Sequence, residues 1–397
     1  MLCQVFNHFT DLPDNNVFKS ITMKNHFFLI LTLCIGFFNP GFAQTTSDPL
    51  QNFYRRRDVA KMEQSLTTLG KSEFDADKKL FSGIRNATYT LEPNLTLNRP
   101  LSQLAGTTAP VGDNSSELKL QFERIKVEIP SIQKEFEARK FVWNLDYFID
   151  LRLIDWKKLL MGASGCTVNT SYLTPVKDQL SCGSCWAFSA AATWEHSYKK
   201  IFSSAVNHNL SEEDMVNCGK TCAGDDAGSC SGGHTFKAFD YIRCFKVATE
   251  ANYPYTASNA ACIAKPKTYG AFFNGQVGTN VSFPTTDQVK AAITLYGAVT
   301  TYVFARSWGS YGTGVLNAIP NAAVTTYTYT GSDGRTYACG ANYINHAVTI
   351  VGWCDAKNAW IIKNSWGTDW GSYGGYAYVA YNTYNIAKYV YYDVPLP

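Results

Sequence analysis

Several things are scarce in this chain. Its formal net charge is only +3, from 35 Lys and Arg against 32 Asp and Glu in 397 residues. That balance is too small to point to nucleic acid or to an acidic membrane surface. Histidine is sparse, with six copies. A histidine on its own is usually a satisfied structural residue, the default for His196, His208 and His234. Long apolar runs are also lacking: beyond one stretch near the N-terminus, nothing is long and apolar enough to cross a membrane. What is plentiful is core material. The hydrophobic fraction is 46% and the aromatic fraction 14%, which suits a large packed core, and the length allows two structural units or more. The 24 tyrosines and 24 phenylalanines fit a β-rich region. Twelve cysteines, concentrated between positions 166 and 262, indicate an oxidising compartment.

The one apolar run explains that compartment. Met23-Lys24-Asn25-His26 is a short basic start, followed by an apolar stretch from Phe27 to Phe38 and by small residues at Gly41-Phe42-Ala43. This is the pattern of a secretory signal peptide, residues 23–43, cleaved after Ala43. Residues 1–22 sit awkwardly ahead of it, and translation starting at Met23 is the simplest account. The alternative is an uncleaved anchor.

The most informative stretch is Gln179-Leu-Ser-Cys-Gly-Ser-Cys-Trp-Ala-Phe-Ser189. Cys185 stands where a Gly/Ser turn gives way to a helix-favouring run. A thiol there faces unpaired backbone N–H groups and the positive end of the helix dipole, and both favour the nucleophilic thiolate. Cys182 and Cys185 also form a Cys-x-x-Cys, the spacing of a thiol–disulfide oxidoreductase. Cys218, Cys222, Cys230 and His234 are spaced loosely like zinc ligands. Far downstream come Asn345-His346-Ala-Val-Thr-Ile-Val-Gly-Trp353 and Trp360-Ile-Ile-Lys-Asn364-Ser-Trp366-Gly367.

In these three blocks, in this order, the chain resembles the papain-like cysteine proteases. The resemblance covers about the last 240 residues. It implies an α+β fold of two lobes, a helical first lobe around Cys185 and Asp214 to Phe245, and a β-barrel-like second lobe from about Val277, with the active-site cleft between them. It implies hydrolysis of peptide bonds by Cys185 as nucleophile and His346 as its acid–base partner, held as a thiolate–imidazolium pair. Asn364 would orient the histidine, Trp366 would shield that hydrogen bond, and Gln179 would help bind the oxyanion. No metal or other cofactor is needed. Gly232 and Gly233 match backbone that receives an extended substrate, while Tyr302, Ile344 and Asn345 fall near the main side-chain pocket, which Tyr302 would narrow. The same carry-over pairs Cys182 with Cys230 and Cys218 with Cys262. With Cys185 as nucleophile and Cys3 and Cys34 set aside, Cys166, Cys222, Cys244, Cys339 and Cys354 remain, an odd number that leaves at least one thiol free or intermolecular.

Upstream of the resemblance the character changes. Val59, Met62, Leu66 and Leu69 recur at helical spacing up to Gly70, a helix stop. Residues 94–116 are rich in Pro, Gly, Ser, Thr and Asn and have the composition of a linker. Leu118, Phe122 and Ile125 begin a second helical block, which meets Pro130 and resumes from Phe136 to Ile149. By resemblance, residues 44–154 form an inhibitory prosegment and 155–397 the protease, which opens at Asp155-Trp156. Glu135, Arg139, Phe141, Asn144 and Phe148 only weakly echo the family's prosegment helix. A separate N-terminal binding domain is the alternative. Two insertions are implied, one around Met161 to Ser171 and one at 322–340. The second reads as a β-hairpin by its Thr/Tyr alternation and Gly-Ser-Asp-Gly turn.

The expected protein is thus a secreted or extracellular monomeric endopeptidase made as a zymogen, lysosomal or vacuolar in a eukaryote and periplasmic in a bacterium. Its partners would be protein or peptide substrates and its own prosegment, with no nucleic acid and no membrane after signal cleavage. A binding protein on the same fold and an oxidoreductase using Cys182 and Cys185 are the competing classes. Asn86, Asn94, Asn114, Asn169, Asn209 and Asn280 lie in glycosylation sequons.

Overall fold

The computed structural model describes residues 44–45, 48–84, 86–141, 160, 165–317, 327–330, 336–339 and 343–397, with backbone alone at 44–45, 327–330 and 336–339. Residues 1–22, the expected signal peptide at 23–43, Asp155-Trp156, Asn144 and Phe148 lie outside them.

A two-residue strand, β1 (Gln44–Thr45), opens the described chain. Helices α1 (Val59–Gln64) and α2 (Thr68–Ser82) follow, so Gly70 does not stop a helix. The break falls at 65–67, where the Thr67 side chain caps α2 by accepting from the Gly70 N–H at 3.2 Å. Glycine suits that first turn because a Cβ there would lie 2.3 Å from Asn98 Oδ1. Leu66, Phe74 and Leu97 bury one another in a small cluster of their own. Strand β2 (Thr88–Leu91) then pairs antiparallel with a strand of the main sheet.

Residues 94–116 are not a linker. Asn94 is fully buried, and its Nδ2 donates to the carbonyls of Glu92, Gly309 and Tyr311 at 3.2, 2.8 and 3.0 Å, which closes that sequon to modification in the folded chain. A short helix, α3 (Leu101–Leu104), leads toward Gln179 and Trp366. Helix α4 (Ser115–Ala138) follows and runs unbroken through Pro130. One face carries it: Leu118, Phe122, Ile125, Ile132 and Phe136 are all buried. At roughly 1.5–3 kcal/mol for each large apolar side chain removed from water, that face outweighs the hydrogen bond lost at proline. Phe122 meets Phe273 at 5.2 Å, and Phe136 meets Phe202 and Phe272 at 5.4 and 5.8 Å between ring centroids. The helix ends before Lys140, whose φ is 59°.

After β3 (Cys166–Val168), which pairs with the main sheet, comes the first lobe, built on α5 (Cys185–Ile201). Only Ala192 and Tyr198 of α5 are even half-exposed, so its small residues serve all-round packing. Around it lie α6 (Glu212–Cys218), capped by Ser211, the paired β4 (Gly228–Ser229) and β5 (Gly232–Gly233), α7 (Thr235–Phe245), and the paired β6 (Val247–Ala248) and β7 (Lys267–Tyr269).

The second lobe begins earlier than Val277, at β8 (Ala271–Val277). It continues with α8 (Thr286–Tyr296), β9 (Val299–Val303), β10 (Tyr311–Leu316), the hairpin β11 (Tyr327–Thr330) and β12 (Thr336–Cys339), β13 (His346–Cys354), β14 (Ala359–Lys363), β15 (Tyr376–Ala380) and β16 (Val390–Pro395). The sheet runs β2-β10-β15-β14-β13-β9-β16-β8, with β3 also on β13. It is an open path rather than a closed barrel, with β2 and β8 at its ends.

Four disulfides tie this together: Cys182–Cys230, Cys218–Cys262, Cys166–Cys354 and Cys222–Cys244. Cys166 and Cys354 stand opposite each other in the β3–β13 ladder. Of the five leftover cysteines, four are therefore paired, and the side chain of Cys339 is outside the described residues.

Candidate active site

Cys185 is the first residue of α5, and the turn before it is held without a conventional cap. The Ser184 hydroxyl bonds the Tyr255 hydroxyl at 2.6 Å instead of an N–H of the helix. The Ala187 and Phe188 N–H groups donate to the Ser184 carbonyl at 2.8 and 3.2 Å, while those of Cys185 and Trp186 turn to the Cys185 sulfur. Among cysteines with described side chains, Cys185 is the one outside a disulfide, and it is fully buried. Cys182 is bonded to Cys230 rather than to Cys185, and Cys218, Cys222 and Cys230 of the zinc-like set are each in disulfides.

His346 comes from the other lobe, as the first residue of β13. Its Nε2 lies 2.8 Å from Asn364 Oδ1, just past the end of β14. Asn364 Oδ1 also accepts from the Ser365 N–H at 2.8 Å. An oxygen acceptor at Nε2 places the proton of a neutral ring there and leaves Nδ1 free for the thiol side. Nδ1 makes no hydrogen bond among the described residues. The Trp366 indole lies 4.6 Å from the imidazole, at an interplanar angle of 31°, and screens it from water.

Gln179 is buried and held at both ends. Its Oε1 accepts from Ser365 Oγ at 2.7 Å, and its Nε2 donates to the Cys182 carbonyl at 2.8 Å. The same Nε2 donates at 3.3 Å to the carbonyls of Gln103 and Leu104. Leu104 also accepts from Trp366 Nε1 at 3.1 Å. These upstream residues lie in the cleft itself. Gly233 N–H donates to the Gly106 carbonyl at 2.7 Å, Thr107 Oγ1 donates to the Gly233 carbonyl at 2.8 Å, and Thr107 N–H donates to the Asn345 carbonyl at 3.1 Å. Glycine is required where the chains touch: a Cβ on Gly232 would meet the Gly106 carbonyl oxygen at 2.6 Å, and one on Gly106 would meet that of Gly183 at 2.0 Å. Thr107 runs parallel to Gly233, and the Gly106 N–H faces the Cys185 sulfur, so the group presented to the thiol there is a donor and not a carbonyl carbon.

This cover changes the electrostatics of the pair. Burial pushes the Cys185 thiol up to about 11, against the opposing N–H groups of Ala347, Gly106 and Trp186. Burial also pushes the His346 imidazole down to about 4, although Asn364 and the Leu104 carbonyl favour its charged form. Under the upstream chain burial thus disfavours charge on both groups.

Tyr302 is buried on β9 with its hydroxyl accepting from the Thr235 N–H at 3.1 Å, and its ring lies 5.5 Å from Tyr391. It shares an apolar cluster with Ile344, Ala347 and Cys185, against which the upstream residue Ala109 packs. Asn345 touches the cleft through its backbone, while its Oδ1 accepts from the Ala305 N–H at 2.8 Å.

Behind Asn364 lies a charged network that sequence reading missed. Lys177 bridges Glu195 at 3.0 Å and Glu212 at 2.7 Å, and Lys363 donates to Thr174 Oγ1 at 2.8 Å. Burial outweighs Glu195 and drives the Lys363 ammonium down to about 8. A cavity of about 20 Å³, bordered by Lys177, Glu195, Lys363, Asn364 and Ser365, is large enough for one water. The signal was present in the sequence as charges within and beside the apolar Cys185 helix, but their partners are distant.

A buried cysteine at a helix start in one lobe and a histidine–asparagine pair in the other are the parts a hydrolase of the cysteine-nucleophile class would need. Residues 163–394 match the family described as papain family cysteine protease, and the chain belongs to that family. It is a cysteine-type peptidase by that membership. It is similar to the thiol protease aleurain of Arabidopsis thaliana, 28% identical over 77% of this chain and 87% of that protein. A cathepsin L-like protein of Caenorhabditis elegans is 34% identical over 66% of this chain and 79% of its own length. The fold resembles the crystal structure of the ragweed pollen cysteine protease Amb a 11 in its proform, at TM-score 0.55 and 19% identity, over 84% of this chain and 92% of that one.

Proposed function

We propose that this protein is a secreted endopeptidase made as a zymogen, with Cys185 as nucleophile and the chain around Leu104 to Thr107 as its internal inhibitor. The observation that carries this reading is the Leu104 carbonyl seated on the Gln179 amide and beside His346, with the Gly106 N–H against the Cys185 sulfur. Once that segment leaves, water and substrate replace it, and the neutral pair becomes a thiolate and an imidazolium. The sulfur then attacks the scissile carbonyl carbon. Negative charge collects on the carbonyl oxygen, where the Gln179 Nε2 and the Cys185 backbone N–H receive it. His346 gives its Nδ1 proton to the leaving amine, and water hydrolyses the thioester. The Asn364 oxygen keeps the ring in the orientation that serves both steps.

Substrates in this reading are proteins or peptides bound along Gly232-Gly233, with one side chain entering the apolar cluster near Ile344 and Tyr302. No helix among the described residues is long and apolar enough to cross a membrane. The purified full-length protein should be latent toward a peptide substrate and gain at least tenfold in turnover when the upstream chain is cut away. Equal turnover before and after processing would instead make the upstream residues a separate binding domain. A Cys185→Ala protein that still hydrolysed the peptide would end the reading altogether.

A further inference from the structure

The upstream chain is attached in two physically different ways. Through the cleft it is held by backbone contacts, with Leu104 and Thr107 its buried side chains. Helix α4 is attached as core. Its buried face closes over Phe273 of β8, the end strand of the sheet, and its polar groups are matched to the same strand. Gln121 Nε2 donates to the Asn274 carbonyl at 2.6 Å, and Asn114 Nδ2 donates to Gln276 Oε1 at 2.7 Å. Arg139 reaches the carbonyl of Pro397 at 2.9 Å. Stripping α4 away would bare Phe273, now 2% exposed, along with an unprotected sheet edge.

Between the two attachments lies a different stretch. Val111 is 93% exposed, and Gly112, at φ 79°, has no atom within 4 Å of where a Cβ would stand. Neither Val111, Gly112 nor Asp113 makes a backbone hydrogen bond to another described residue. A peptidase needs extended, unpaired backbone, and exposed loops of this kind are its preferred entry points.

We propose that the activating cut falls at 110–113 and that α4 stays in the mature enzyme as a permanent part of its body. The mature chain then begins near Asn114, not near Asp155 as the resemblance suggested. The inference rests on the protease reading. Cys185 is itself covered, so the cut is made by a processed copy or another peptidase. One water is consumed: the peptide C–N bond breaks, hydroxyl goes to the carbonyl carbon and hydrogen to the new amine.

The test is N-terminal sequencing and intact mass of the active species, isolated by gel filtration after full-length protein is activated to constant turnover. The expected result is an N-terminus within 111–114, with peptides of 115–138 eluting with activity. An active species that begins at 140–165, or that has lost those peptides, overturns the proposal. A Val111→Pro/Gly112→Pro double variant, with unchanged circular dichroism, should be activated at least tenfold more slowly; activation at the normal rate counts against it. Should no peptidase activity appear at all, the protease reading fails separately. Cys185→Ala protein nicked by thermolysin then still decides the boundary. A nick at 110–113 with α4 retained supports it, and a first nick elsewhere or loss of α4 refutes it.

Discussion

The Leu104 carbonyl accepts from the Gln179 side-chain amide at 3.3 Å, so an upstream residue occupies the donor assigned to the transition-state oxygen. In the proposed reading, inhibition and catalysis draw on one group. Gln179→Ala should lower kcat of the processed enzyme by roughly a hundredfold or more with KM little changed, since its charge-stabilising role is confined to the tetrahedral state. Alkylation of Cys185 by iodoacetamide needs no oxyanion and should proceed at close to the normal rate. Parallel loss of alkylation and turnover would show that Gln179 only holds the cleft in shape.

In the proposed mechanism Asn364 acts through the histidine. Its oxygen favours the charged imidazole, so Asn364→Ala should lower the imidazolium pKa in the processed enzyme. The ion pair exists only between the pKa values of its two members, and the alkaline limb of the alkylation profile should therefore move to lower pH. An unshifted profile with reduced turnover would assign Asn364 to packing alone.

Docking of the upstream chain has a pH dependence with a definite sign. Burial pushes the Asp77 carboxyl up to about 6, partly opposed by its hydrogen bond from Ser310. A carboxyl raised above its usual 3.8 favours the folded state most at low pH and loses stability as pH rises from about 4 through 6. Asp77→Asn should therefore stabilise the precursor at pH 7, by at most about 3 kcal/mol, and have little effect at pH 4. Thermal unfolding at the two pH values checks this; a variant destabilised equally at both would contradict it. Asp48 has the opposite sign: despite burial, Tyr378 and Lys357 hold its carboxyl below the usual value, and that support is lost only on acidification.

The Lys177 network makes a stability prediction. Two buried carboxylates hold its ammonium charged against the cost of burial. Lys177→Met leaves Glu212 without its ammonium and Glu195 with only its neutral donors Thr174 and Leu210, and should cost about 3–5 kcal/mol, read from a urea midpoint with unchanged slope. A loss under 1 kcal/mol would mean that water already solvates the carboxylates.

What the sequence shows well is whatever is local. Cys185, His346 and Asn364 each carry their identity in adjacent residues, and the structure brings His346 and Asn364 to 2.8 Å. The Cys166–Cys354 bridge spans 188 residues, and nothing in its flanks names its partner. The stretch from 94 to 116 was misread because small residues serve loops and close backbone contact alike; Gly106 is there to pass the Gly183 carbonyl. Gly70 looked like a stop because composition does not reveal Asn98 across the turn. The burial that disfavours charge on Cys185 and His346 comes from residues remote in sequence, so no local motif carries it.

The central claim is that Cys185 is the nucleophile and that the upstream chain hides it. The most direct measurement is labelling with an epoxysuccinyl inhibitor, followed by peptide mapping, on the full-length and the processed protein. The account predicts one modified cysteine, Cys185, alkylated at least tenfold faster after processing and in proportion to lost turnover. Label on another residue, or equal rates in the two forms, would contradict it.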